Sequence, residues 1–260
     1  IGKGEIYLPL EAPDPPDGSP LHYLTKVKRD GVTLGGAFIG RPEAVANAAM
    51  EKVKDLEKRA TALLKLASPN PHAAYRLTGT ALNAAMDYLI RCTAPELIME
   101  ALVAFDDLIR RTTDTCLELK GFDPPKCDPT RYTRADHRRQ LPFSFGGAGQ
   151  TTTVSKAPCA YIAACITTMG TEPLLEKARK MVAANLGPSY DMLRAATDVT
   201  ELADIPEISK VIPQDIDELA SIQPSPSCDD RPNSNHLAMR KIQGVLMNEC
   251  DKAFRLRVGI

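Results

Sequence analysis

With 260 residues and a formal net charge of −1, the chain is long enough for one large domain and carries no global field that would attract nucleic acid or an anionic membrane. Aromatic residues make up only 5% and tryptophan is absent, so the core must be built from Ala, Leu, Ile, Val and Met. No apolar run reaches the roughly 20 residues of a membrane span and no signal-peptide pattern opens the chain, so we expect no membrane contact and an intracellular location, nucleus or cytoplasm.

The first 40 residues are predicted to form a strand, a connector and a hairpin. Residues 5–10 (EIYLPL) suit a short edge strand, because Pro9 cannot donate to a central ladder. A Pro-rich connector follows at 11–20. Apolar residues alternate on both sides of Asp30-Gly31, which predicts a β-hairpin over about 22–39 with its turn at that dipeptide.

Residues 41–222 are predicted to be the helical core domain. Its first helix runs from Pro42 to about Ala67, with an apolar stripe at spacings of three and four. The stripe comprises Val45, Ala49, Val53, Leu56, Ala60, Leu63 and Ala67. This stripe packs either within its own domain or in a coiled coil with a partner. A second helix is predicted from 71 to 91, and a third from Pro95 to a stop at Gly121.

The segment QLPFSFGGAGQTTTVSKAPCAYIAACITT at 140–168 is predicted to organise the rest of the fold. A short polar helix at 131–140 leads to an extended run, a glycine turn and a closely packed Ala-rich helix. We expect this helix to start at Ser155, with Pro158 in its first turn. Helices are then predicted at 172–185, stopped by Gly187-Pro188, and at 189–196. A linker at 223–235 and a C-terminal amphipathic helix within 236–260 complete the chain. The predicted fold class is therefore mainly α, a multi-helix bundle with a small N-terminal β-hairpin.

Neither metal, cofactor nor catalysis is predicted. The seven cysteines contain no C-x-x-C pair and the four histidines do not cluster with them, so free thiols in a reducing compartment are expected. Asp106-Asp107 lies in a helical pattern, whereas polymerase metal sites need carboxylates from a strand turn. A site assembled from residues distant in sequence stays open.

Five segments occur in an order that resembles a known family. They are GVTLGGAFIG, DYLIRCTAPEL, AFDDLIRRTTDTCLEL, the 140–168 segment and RKIQGVLMNECDKAF. This series is similar to the region after the palm of LINE-like (non-LTR) retrotransposon reverse transcriptases of protists and fungi, over roughly residues 30–256. The resemblance implies a helical thumb or connection domain that closes over primer–template, with RNA or an RNA/DNA duplex as partner. Gln150 stands where that family has an aliphatic residue, and no Y-x-D-D motif is present.

A basic cluster is the candidate nucleic-acid site. Arginines spaced along one helix can contact successive phosphates, and a tyrosine can stack on a base. The predicted set is Arg131, Tyr132, Arg134, His137, Arg138 and Arg139, extended by Arg110 and Arg111. The alternative is a solvated helix with salt bridges to Asp106, Asp107 or Asp114. The turn formed by Gly146, Gly147 and Gly149 is either structural or a phosphate cradle.

Three functions therefore remain open. The first is a non-catalytic, thumb-like domain that binds the nucleic-acid backbone through the arginine cluster. The second is a stand-alone, retroelement-derived module for protein interaction or assembly, with the C-terminal helix as one docking element. The third is a helical enzyme or ligand carrier.

Overall fold

A computed structural model of the chain describes residues 5–8, 11–13, 26–117, 139–140, 149–150, 152–171, 176–197, 242–250 and 252–253. Its architecture is mainly α-helical with a small N-terminal β-hairpin, which confirms the predicted fold class. Most of the polar helix at 131–140, the extended run before the glycine turn and the linker at 223–235 lie outside the described residues. None of the described helices is both long and apolar enough to cross a bilayer.

Within the described residues, four strands precede seven α-helices. The strands are β1 (Glu5–Tyr7), β2 (Lys26–Lys28), β3 (Gly31–Leu34) and β4 (Ala37–Gly40). The α-helices are α1 (Pro42–Ala67), α2 (Pro71–Leu77), α3 (Leu89–Cys92), α4 (Met99–Cys116), α5 (Thr153–Thr171), α6 (Glu176–Ala184) and α7 (Gly187–Thr197). Residues 242–250 form a further helical segment.

The hairpin turns at Gly35-Gly36, and the predicted turn at Asp30-Gly31 is wrong. Strands β3 and β4 pair in antiparallel register, with Val32 opposite Ile39. Gly35 and Gly36 have φ values of 58° and 89°, and a two-residue hairpin turn of this hand needs positive φ at both positions. Asp30-Gly31 instead joins β3 to β2, which pairs in parallel with β1. Two consecutive glycines adopt the required backbone with less strain than Asp-Gly, so the turn forms there.

Helix α1 has the bounds that the sequence predicts. Pro42 occupies the first turn, where the missing N–H costs nothing. The first five residues of the predicted stripe, from Val45 to Ala60, are buried, while Leu63 and Ala67 are partly buried. The stripe packs mainly against α4 of the same chain, and both helices contribute residues to the first hydrophobic cluster.

The predicted continuous helix over 71–91 is wrong, because the chain changes helical type three times. A π turn at Thr78–Leu82 and a 3₁₀ turn at Asn83–Met86 separate α2 from α3. The hydroxyls of Thr78 and Thr80 donate to carbonyls four residues back, and Gly79 favours the helix weakly. These residues loosen the α-helical ladder at this point.

Helix α5 lies between two hydrophobic clusters. Ala157 and Ala160 belong to the first cluster, to which α1 and α4 also contribute. Cys159, Ile162 and Met169 belong to a second cluster with α6, α7 and the 242–250 segment. A helix that is apolar on all sides is buried on all sides, and α5 accordingly packs against α3, α4 and α7.

Three predicted helix boundaries are corrected. The third predicted helix, α4, starts at Met99 after a 3₁₀ turn at Pro95–Leu97 and ends at Cys116, before Gly121. Helix α5 begins at Thr153, so Pro158 is its sixth residue and lies beyond the first turn. The preceding helix, α6, ends at Ala184, before Gly187-Pro188. This dipeptide opens α7, where proline in the first turn needs no hydrogen-bond donor.

Candidate functional site

The C-terminal half of α4 receives the end of the predicted arginine segment. The Arg139 guanidinium Nη2 lies 2.8 Å from Asp114 Oδ1, and the two side chains are only 11% and 19% exposed. In a nearly buried ion pair the desolvation of both groups offsets much of their attraction. Removal of one partner would leave the other charge buried and unpaired, which is strongly destabilising. Arg139 therefore has a structural role in this site.

The segment after the glycine turn is bound at the same place. The Gln150 backbone N–H donates to the Arg139 backbone carbonyl at 2.9 Å. Gln150 Nε2 donates to Thr113 Oγ1 at 2.6 Å, in a buried position. We call these contacts of Arg139 and Gln150 with Thr113 and Asp114 the α4 anchor. Gly149, next to it, has a φ of 65°, the backbone conformation for which glycine is best suited.

Arg110 and Arg111 lie on α4 within one turn of the α4 anchor. Arg110 Nη2 donates to Asp107 Oδ1 at 2.9 Å along the helix. Arg111 Nη2 lies 3.6 Å from Glu57 Oε1 on α1, and its side chain is 63% exposed. A long, exposed pair of this kind contributes little to stability. Arg111 can therefore exchange its carboxylate for another anion at low cost.

Asp106 caps helix α5 from the side. Its Oδ1 accepts the Thr153 N–H at 2.7 Å, and its Oδ2 accepts the Val154 N–H at 3.1 Å. Thr152 Oγ1 accepts the Ser155 N–H at 3.3 Å, so side chains partner the first three amides of α5. Burial raises the pKa of Asp106, and the backbone donors offset part of that effect.

Asp106 and Asp107 thus point to different partners and do not share a site. Asp107 pairs with Arg110, while Asp106 faces α5. Within the described ranges there is no group of three or more His, Cys, Asp or Glu side chains arranged to hold a metal ion.

A second polar link joins the first turn of α5 to the region before α3. Lys156 Nζ lies 2.5 Å from Asp87 Oδ1, and both side chains are mostly buried. Together with the Asp106 cap, it fixes α5 at its N-terminal end from two sides.

The structure brings together Arg139, Gly149, Arg110 and Arg111 of the predicted residues. The others, which are Arg131, Tyr132, Arg134, His137, Arg138, Gly146 and Gly147, lie outside the described residues. Sequence reasoning missed the roles of Thr113, Gln150 and the Asp106 cap. Gln150 offered a signal, because a buried side-chain amide requires a hydrogen-bond partner.

A cavity of about 510 Å³ lies between the hairpin and α1. Its lining includes Lys28, Arg29 and Phe38, and it shares no residue with the α4 anchor. Comparisons of the chain with protein-family models, with curated proteins and with solved structures found no match.

Proposed function

We propose that this chain is a non-catalytic helical domain that handles nucleic acid, similar to the thumb or connection region of retroelement reverse transcriptases. The observation that carries the proposal is the α4 anchor together with the Asp106 cap. Through Gln150 and the Asp106 cap, the described parts of two segments of the resemblance, 104–119 and 140–168, contact each other. A resemblance spread over separate segments gains weight when those segments hold one another in place.

The Arg139–Asp114 pair is one of the salt bridges of the alternative interpretation, so the proposed backbone-binding role depends on the other arginines of the segment. Arg139 is engaged by Asp114, so the phosphate contacts fall to Arg131, Arg134 and Arg138. Chain connectivity keeps Arg134 within about 18 Å of Arg139. Arg111 on α4 is exposed and adds one described cation to the proposed site.

The proposal that the domain is non-catalytic depends on the contacts of Asp106. Its two carboxylate oxygens accept backbone N–H groups of α5, which commits this side chain to a structural role. A carboxylate used in this way is a poor general base or metal ligand, because ligation would remove the helix cap.

Fluorescence anisotropy with a labelled RNA hairpin and an RNA/DNA duplex, between 50 and 300 mM salt, tests the proposal. We expect the triple variant Arg131→Ala, Arg134→Ala, Arg138→Ala to bind more weakly. The slope of log affinity against log salt should fall by roughly two to three, because each lost phosphate contact releases about one fewer counterion.

A matched control removes the same charge elsewhere. The variant Lys54→Ala, Lys58→Ala, Lys65→Ala lowers the charge by three on the exposed face of α1. It should bind as the wild type does. Equal losses in both variants would mean that only net charge matters, and an absence of wild-type binding would reject the proposal.

A second candidate, an assembly module, is favoured by the hairpin surface. Leu34 and Ile39 are 66% and 44% exposed and lie on the same face of the hairpin by register. Self-association that persists at high salt, and that is lost in Leu34→Lys, Ile39→Lys, would support it. Light scattering after size-exclusion chromatography measures this, and a monomer at every concentration would reject it.

A further inference from the structure

Two buried cysteines meet between α5 and the 242–250 helix. Cys159 Sγ and Cys250 Sγ lie 3.8 Å apart although the residues are 91 positions apart in the chain. Cys159 is fully buried and Cys250 is 5% exposed, and both belong to the second hydrophobic cluster. Their contact therefore joins two helices that are far apart in the sequence.

The two thiols have a defined arrangement. Cys159 Sγ lies 3.7 Å from the Ser155 carbonyl oxygen, to which it donates. The Cys159 and Cys250 sulfurs are also within hydrogen-bond distance of each other, and either thiol can be the donor. A disulfide requires the sulfurs to come about 1.8 Å closer, to roughly 2.05 Å. We expect rotation of the two side chains to supply this movement.

We propose that Cys159 and Cys250 form a peroxide-sensitive dithiol, which closes to an intramolecular disulfide and ties the 242–250 helix to α5. Hydrogen peroxide first oxidises the slightly exposed Cys250 thiol to a sulfenic acid and is itself reduced to water. The Cys159 sulfur then attacks the Cys250 sulfur, the S–S bond forms, and the hydroxyl leaves with the Cys159 proton as a second water.

Burial limits the reaction with oxidant but favours its second step. Buried cysteines are ordinarily inert because reagents do not reach them. We expect local opening of the 242–250 helix to admit a molecule as small as peroxide. Once the sulfenic acid forms, a thiol already in van der Waals contact acts at a very high effective concentration and captures it before further oxidation.

Other described cysteines are placed differently. Burial raises the pKa of Cys165 to about 11, which keeps this residue as an unreactive thiol beside Tyr161. Burial also raises the pKa of Cys116. Cys92 is exposed and serves as an internal reporter that the oxidant has acted.

The test treats the purified full chain with hydrogen peroxide, blocks the remaining thiols with N-ethylmaleimide and maps the peptides by mass spectrometry. We expect a linked peptide pair that contains Cys159 and Cys250 and is 2 Da lighter than the two free peptides. The disulfide closes a long loop, so the melting temperature should rise by roughly 5–10 °C and return on reduction.

Variants separate this pair from other oxidation. Cys250→Ser should lose both the linked peptide and the thermal shift, whereas Cys165→Ser should retain both. Oxidised Cys92 without the Cys159–Cys250 link would overturn the proposal, and so would a link that forms only in urea. Both readings come from the wild-type chain, so they do not depend on the folding of any variant.

Discussion

Removal of the Asp106 carboxylate should be one of the most damaging single changes in α4. In Asp106→Ala the amides of Thr153 and Val154 lose their acceptor at the start of α5. The closest control is Asp107→Ala, one position along the same helix. It breaks a pair with Arg110 in which the carboxylate is 54% exposed.

The magnitude follows from the two hydrogen bonds. A hydrogen bond to a charged group contributes about 1.5–3 kcal/mol, and loss of a helix cap costs about 1–2 kcal/mol. Burial of Asp106 disfavours its charge, as the raised pKa indicates, so part of this gain is already offset. We expect Asp106→Ala to lower the free energy of unfolding by about 3 kcal/mol. Asp107→Ala should cost about 0.5 kcal/mol or less, because exposed pairs are weak.

Urea titration followed by circular dichroism gives both values, provided that the slope with denaturant is the same in all three proteins. Hydrogen exchange adds a local reading, because the amides of Thr153 and Val154 should lose protection in Asp106→Ala and keep it in Asp107→Ala. If the two variants differ by less than 1 kcal/mol, or if these amides stay protected, Asp106 is not the cap of α5.

Three further predictions concern Gln150, the two glycines Gly40 and Gly79, and Cys165. Gln150→Leu should lower the free energy of unfolding by about 1–2 kcal/mol, because it removes the donor to the buried Thr113 hydroxyl. Adding Thr113→Val should recover most of that loss. If urea titrations show that the two losses simply add, the hydrogen bond is absent. Gly40→Ala should lower the free energy of unfolding by more than about 2 kcal/mol, because the new Cβ would lie 2.4 Å from backbone atoms of Asp30 and Gly31. Gly79→Ala, with no atom within 4 Å of the new Cβ, should instead gain about 0.5–1 kcal/mol, and equal melting temperatures for the two variants would contradict this reasoning. Burial raises the pKa of Cys165 to about 11, so the rate of its alkylation by iodoacetamide should increase about tenfold per pH unit from pH 7.5 to 9.5; a rate that levels off near pH 9 would show an ordinary thiol.

The central position of the 140–168 segment was predictable in part. Small residues on every side of α5 imply a helix with neighbours all round, and the structure places it between the two hydrophobic clusters. The start of this helix was not predictable from its own residues. Asp106, which caps it, lies 47 positions earlier and carries no local mark of that role.

The arginine cluster illustrates the same division. The sequence identifies Arg139 as one of several neighbouring cations and names Asp114 among three possible carboxylate partners. Only the folded chain brings Arg139 into a nearly buried pair with Asp114 while Arg111 stays exposed. Which cation is structural and which is accessible thus depends on the approach of α4 to the segment at residue 139.

The sequence by itself determined the elements whose signals are local. Pro42 and the apolar spacing of α1 specify a helix and its buried face, because residues three and four apart share one side of a helix. The tertiary structure decided the hairpin turn, the Asp106 cap of α5 and the contact of Cys159 with Cys250. Each of these depends on competition between similar local options or on residues far apart in the chain, and only the packing of the whole core selects among them.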